Sequence, residues 1–291
     1  GVTYADGKFI AASSNPGRTC WSLTGADEYS VTELTLADNT GLDDFTAGML
    51  VKQNAAITGP APAFSTTLYT GTNSLISINT GIDNTNKSLV WIKSRTTATT
   101  HIFVDTERPA TSSGSIPFLA SNTSSGQNST SSADSGVRTL ANDGFTVAKN
   151  YAGENVDSAS YAAWNFRAAP KFFDVVLYTG TGVAAGGTPH DVPHSLTTEP
   201  GCIIIKCTEA SSQWLVYHKD LGVDKTLILN TNNEAQTDKN FGPMTDTTFG
   251  VVGSADTTAG GANNNIAYLF ADEAGLIKCG SYTGVAGAVS V

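Results

Sequence analysis

Leu68-Tyr69-Thr70-Gly71-Thr72 recurs as Leu177-Tyr178-Thr179-Gly180-Thr181 and, shortened, as Ser281-Tyr282-Thr283-Gly284-Val285, at spacings of 109 and 104 residues. Between these marks the order of blocks is also kept. Leu89-Val90-Trp91-Ile92-Lys93 answers to Cys202-Ile203-Ile204-Ile205-Lys206, His101-Ile102-Phe103-Val104-Asp105 to Trp214-Leu215-Val216-Tyr217-His218, and Phe118-Leu119-Ala120-Ser121-Asn122 to Leu227-Ile228-Leu229-Asn230. Gly144-Phe145-Thr146-Val147 matches Thr248-Phe249-Gly250-Val251, and Ala162-Ala163-Trp164-Asn165-Phe166 matches Ile266-Ala267-Tyr268-Leu269-Phe270. So many blocks in one order identify an internal duplication.

Each block is short, rich in β-branched and aromatic residues and bounded by Gly, Asn, Asp, Ser or Pro, which is the signature of a strand. No window keeps a helical period. A unit of about 105 residues with this many strands predicts a two-sheet antiparallel sandwich of jelly-roll or lectin-like type. The expected chain is therefore all-β. Residues 1–67 form a β-rich N-terminal segment and linker, 68–176 and 177–281 two tandem antiparallel β-sandwich repeats, and 282–291 the start of a third repeat or a C-terminal strand. Along Tyr161 to Phe166 the alternation sets Trp164 and Phe166 on one side, predicted to be the core side. Leu89–Ile92 and Ile203–Ile205 are apolar on both faces, as central or covered strands are. Phe172-Phe173-Asp174-Val175-Val176-Leu177-Tyr178 follows Ala168-Ala169-Pro170 with almost no linker, which predicts a rigid join. In the N-terminal segment Tyr4 to Ala12 reads as turn then strand, Glu33–Leu36 and Met49–Lys52 as short strands, and Ala55–Ser65 as a linker. Ser121–Ser135 and Asn230–Asn240 read as exposed loops.

Composition agrees with strands and turns. Thr, Ser, Asn and Gly number 39, 27, 20 and 29 of 291 residues, a poor supply for helices. Lys and Arg total 16 against 26 Asp and Glu, a net charge of −10, so nucleic acid and anionic membrane surfaces are not expected partners. No apolar run reaches the ~20 residues of a membrane span, and Gly1 to Asp6 lacks a signal-peptide pattern, so a soluble chain with a cut or processed start is expected. Cys20, Cys202, Cys207 and Cys279 are not at zinc spacing and read as small buried hydrophobes. Cys202 and Cys207 stand at an odd offset on one strand, on opposite faces.

Asp105 and Glu107 have the i, i+2 spacing of a carboxylate pair on one strand face, as glycosidases on sandwich folds use, but the second copy has His218 and Asp220 there, and Arg108 stands ready to neutralise the pair. His190, His194 and His218 with Asp191 suggest metal ligands, although Pro189 and Pro193 rule out a helix that would align them. Asp38 to Asp44 supplies oxygen ligands without the full calcium-loop pattern. Trp21, Trp91, Trp164 and Trp214 fit core positions better than sugar stacking. The Gly180-Thr181-Gly182 run reads as a strand end, not a phosphate loop, and Asn86, Asn122 and Asn128 open formal glycosylation sequons. The expectation is a non-enzymatic chain with no catalytic, metal or cofactor residues, whose recognition surface, if any, lies in loops at Ser124, Ser125, Asn128, Asn232, Asn233 and Asp238.

Together the blocks resemble a tandem-repeat β-domain family of unknown function found in virion structural proteins of tailed bacteriophages. The resemblance rests on Leu89–Lys93, on Phe103-Val104-Asp105-Thr106-Glu107-Arg108, where Pro109 replaces the family's Gly, and most of all on Ala163-Trp164-Asn165-Phe166-Arg167-Ala168-Ala169-Pro170-Lys171-Phe172-Phe173-Asp174-Val175-Val176. Trp214–His218 and Ile277-Lys278-Cys279-Gly280-Ser281-Tyr282-Thr283-Gly284 extend it over residues 68–291, and Tyr4 to Ala12 is similar to a blade motif of propeller-type phage fibre repeats. It implies a virion component assembled in the host cytoplasm, such as a tail fibre, capsid fibre or head decoration, with other virion proteins as partners and a homotrimer by analogy with fibres. Two alternatives accompany it: an adhesin module for a host receptor or cell-surface glycan, and a polysaccharide depolymerase.

Overall fold

A computed structural model describes residues 62–132, 134–182, 187–237, 239–253 and 263–283, together with the backbone of four N-terminal strands. The chain divides into two units, Gly1–Pro60 and Ala61–Val291. In the first, β1 (Val2–Ala5), β2 (Lys8–Ala12), β3 (Arg18–Leu23) and β4 (Leu34–Thr35) pair in chain order as an antiparallel meander. Tyr4 to Ala12 is thus a pair of strands; Arg18–Leu23 was not anticipated, and Met49–Lys52 lies outside the described residues.

The second unit begins with β5 (Phe64–Thr70), β6 (Ile76–Asn79), β7 (Ser88–Ser94), β8 (Ile102–Asp105), β9 (Phe118–Ala120), β10 (Val137–Ala141), β11 (Gly144–Val147) and β12 (Ser160–Arg167). It continues with β13 (Phe173–Thr179), β14 (His190–Pro193), β15 (Pro200–Cys207), β16 (Leu215–His218), β17 (Leu227–Ile228), β18 (Phe241–Met244), β19 (Thr248–Val251) and β20 (Asn264–Ala271). Among the described residues there is no helix, and so none long and apolar enough to cross a membrane. The first set forms a five-stranded sheet, β5-β12-β7-β8-β9, and a three-stranded sheet, β10-β11-β6. The second set repeats both orders strand for strand, as β13-β20-β15-β16-β17 and β18-β19-β14.

The duplication extends to single hydrogen bonds. Asn122 Oδ1 accepts the His101 N–H at 3.0 Å, and Asn230 Oδ1 accepts the Trp214 N–H at 3.0 Å. Lys93 Nζ donates to the Ser94 carbonyl, and Lys206 Nζ to that of Cys207. The Tyr-Thr-Gly mark also has a cause. Gly71 N–H bonds the Ala159 carbonyl, as Gly180 N–H bonds that of Asn263, and a Cβ at Gly71 would collide with the Val156 carbonyl oxygen. A strand closed so tightly by a returning loop takes only glycine at that point.

Three apolar clusters follow from the strand faces. Val90, Ile92, Ile102, Val104, Tyr161 and Ala163 of the first five-stranded sheet meet Ile78, Val137, Phe145 and Val147 of its three-stranded neighbour. Ile203, Ile205, Leu215, Tyr217, Ala267 and Leu269 meet Val192, Phe241, Phe249 and Val251 in the same way. The third cluster joins Leu89, Phe103 and Leu119 to Phe173, Val175, Trp214, Ile266 and Tyr268. The expected facing of β12 is corrected here. Tyr161, Ala163 and Asn165 point into the first half's own core, while Phe166 packs against the third cluster and Trp164 stays half-buried beside Trp91. Both faces of the strand are covered, and alternation alone does not say by which neighbour.

Candidate functional site

The most heavily built region of the second unit lies where its two halves meet. After β12, Ala168-Ala169-Pro170-Lys171-Phe172 makes a tight turn in which the Ala169 N–H donates to the Phe173 carbonyl at 3.0 Å. Proline cannot continue the ladder, so the chain leaves one sheet here and enters the next. The outer faces of the two five-stranded sheets come together beyond the turn, with ring centroids of Phe103 and Trp214 at 5.2 Å, Phe103 and Tyr268 at 5.3 Å, and Phe166 and Phe270 at 5.3 Å. Trp214 is fully buried, and its Nε1–H donates to the Ala120 and Thr123 carbonyls of the first half.

A charged clamp sits inside this apolar junction. Asp105 and Arg108, 1% and 3% exposed, are joined through Arg108 Nη2 and Nε to Asp105 Oδ2 at 2.7 and 2.8 Å. The Tyr268 hydroxyl donates to the same oxygen at 2.7 Å, across the junction. Asp105 Oδ1 accepts the backbone N–H groups of Glu107 and Arg108. Burial opposes the Arg108 charge, but Asp105 and then Tyr268 outweigh it and raise its pKa; burial, then Asp105, holds the Tyr268 phenol well above its usual range. At the rim, Lys87 Nζ lies 3.6 Å from Asp174 and 3.9 Å from Glu107. Burial raises the Glu107 pKa, with Lys87 opposing it and Asp105 and Asp174 adding to it.

The i, i+2 reading of Asp105 and Glu107 does not hold in the fold. β8 ends at Asp105, and Glu107 stands in the following turn beside Lys87. Asp105 is engaged by four donor groups, so its carboxylate joins the halves and does not face a cleft. His190 lies on β14, whose last residue is Pro193. His194 is held by its own turn, Nδ1 accepting from Leu196 N–H and Nε2 lying 3.2 Å from the Thr245 carbonyl, and burial lowers its pKa. His218 belongs to β16, in the other sheet. Among the described residues no group of three His, Cys, Asp or Glu could hold a metal ion. Asp38 to Asp44 and the Trp21 and Cys20 side chains lie outside the described residues, and Cys202, Cys207 and Cys279 are free thiols.

The expected recognition loops are placed unequally. Ser124 is half-buried: its carbonyl accepts the Ser212 N–H at 2.8 Å and its hydroxyl takes a hydrogen bond from Ser211. The Gln127 N–H donates to the Thr208 carbonyl at 2.7 Å, so much of this loop is seated on the second half. Ser125 and Asn128 remain exposed, as do Asn232 and Asn233, and Asp238 lies outside the described residues.

Beside the Ser121–Ser135 loop runs an open groove of about 790 Å³, lined among others by Lys93, Thr99, Thr100, His101, Asn122, Asn150 and Tyr151, within the roughly 300–1,000 Å³ of small-ligand sites. Lys93, Asn150 and Tyr151 were not among the residues anticipated. A signal was present in the sequence: Lys93 and Lys206 close matching blocks, and Tyr151 is an isolated aromatic in a polar stretch.

A family model described as Domain of unknown function (DUF7483) matches residues 59–290. The chain belongs to that family. No curated protein and no solved structure matches it.

Proposed function

We propose that this DUF7483 member is a non-catalytic structural protein of a bacteriophage virion, a tail-fibre, capsid-fibre or head-decoration component. In this reading β5–β12 and β13–β20 are two β-sandwich repeats, each a five-stranded sheet against a three-stranded one, fused through their five-stranded sheets. The carrying observation is the junction. An apolar cluster drawn from both repeats, with the Asp105, Arg108 and Tyr268 clamp inside it, makes one stiff body of two copies of a fold. Stiffness of that kind suits a load-bearing element better than a hinged catalyst. The resemblance of residues 68–291 to repeats of tailed-phage virion proteins supports the location, and other virion proteins and further copies of the chain, as a trimer, would be its partners.

Mass spectrometry of purified particles of the phage that encodes the chain tests this. The chain is expected at a copy number set by particle symmetry. Its presence in infected cells but not in washed particles would refute the proposal.

A further inference from the structure

One lysine position has opposite fates in the two halves. Lys206 is fully buried, its Nζ enclosed by the Cys207 carbonyl at 2.9 Å, the Ala210 carbonyl at 3.3 Å and the Ser212 hydroxyl at 2.9 Å. Lys93, its counterpart, gives one hydrogen bond to the Ser94 carbonyl at 2.7 Å and lies half-buried along the groove. The neighbouring position diverges too: Trp214 is buried in the junction, whereas its counterpart His101 lines the groove. The duplication has thus left the lysine of this position on a groove in the first half and enclosed in the second.

The rest of the lining is fixed in place. Tyr151 is 50% exposed, with its hydroxyl on the Ser129 carbonyl at 3.3 Å and its ring edge-on to Phe118 at 6.1 Å, so an aromatic surface is held toward solvent. Asn122 Oδ1 is engaged by the His101 N–H, and Asn150 Oδ1 by the N–H groups of Gly153 and Asn155. Both amides therefore keep their Nδ2 donors for a ligand. Thr99 and Thr100 add hydroxyls, and no Asp or Glu is among the lining residues, although the chain carries a net charge of −10. Burial, then Lys93, lowers the His101 pKa.

We propose that this groove binds an acidic oligosaccharide, with Lys93 on a sugar carboxylate, the Tyr151 ring against a pyranose face and the Asn122 and Asn150 amides on ring hydroxyls. An aromatic plate, amide donors and a single cation in an open polar trough match a carboxylated sugar chain. An apolar ligand would find little to bury there, and a duplex nucleic acid would need many cations. The site concerns the isolated chain and does not depend on virion placement.

Calorimetric titration of the full chain with hexagalacturonate, maltohexaose and hexaglutamate tests the proposal. Hexagalacturonate is expected to bind at millimolar affinity or tighter, more weakly as salt is raised, with maltohexaose and hexaglutamate at least about tenfold weaker. Lys93→Gln and Tyr151→Ala should each weaken hexagalacturonate about tenfold or more at an unchanged melting temperature, and Lys93→Arg should retain most binding. If Tyr151→Ala melts early, the Lys93→Gln and Lys93→Arg pair decides the matter. No binding of hexagalacturonate, equal binding of either comparison ligand, or full binding by Lys93→Gln would overturn it.

Discussion

At Asp105 a carboxylate that reads from sequence as an acid–base candidate is surrounded by donors: Arg108, the Tyr268 hydroxyl and two backbone N–H groups. Removing one member leaves the others buried and unpaired, so Asp105→Ala should lower stability by about 3–5 kcal/mol in urea unfolding. Replacing both ions, Asp105→Leu with Arg108→Met, should cost less than Asp105→Ala alone, since no lone charge remains. A double variant no more stable than the single one would contradict this account. Lys206 makes a second prediction at this scale. Burial lowers its pKa from 10.5 to about 8, with Cys207 acting in the opposite sense. Below pH 8 the fold bears the full penalty of a buried charge. Between about 8 and 10.5 the unfolded chain binds the extra proton, so stability relative to Lys206→Met should rise with pH, by at most roughly 1.4 kcal/mol per unit. A flat or falling difference across that window would remove the buried-charge explanation.

At the scale of elements, β7 and β15 were legible as covered strands and are central in their sheets. β6, β10, β14 and β18 were not singled out. They are short, β6, β14 and β18 carry Ser, Asn or Pro, and in β10 and β18 the register slips along the ladder, so no alternation builds up. The facing of β12 and the seating of Ser124 were missed because each depends on residues that local pattern does not bring together, Trp164 on Trp91, Phe166 on Phe270 and Ser124 on Ser212. Local pattern reports that a face is apolar or a loop polar, and not what meets it. The junction itself gives a test. Phe173→Ala or Trp214→Ala should each cost about 3–5 kcal/mol. By loosening the shared cluster they should also split one calorimetric transition of the second unit into two. A single transition shifted as a whole would show that the halves are coupled elsewhere.

For the whole molecule, the abundance of Thr, Ser, Asn and Gly reflects two copies of one strand order, each needing turns at matching places. The duplication was legible because its marks are structural. The Tyr-Thr-Gly glycine is demanded by a closing loop, and Asn122 and Asn230 hold equivalent backbone groups. The groove was not, since it arises from divergence between the copies after their common fold is set. The proposed role makes the two repeats a single stiff element of a phage particle. Cryo-microscopy of purified particles measures this most directly. Density is expected for the chain on the particle with two sandwiches stacked through their five-stranded sheets, and Phe103, Trp214 and Tyr268 meeting between them. Particles without that density, or with the two repeats separated and solvent between their five-stranded sheets, would contradict it.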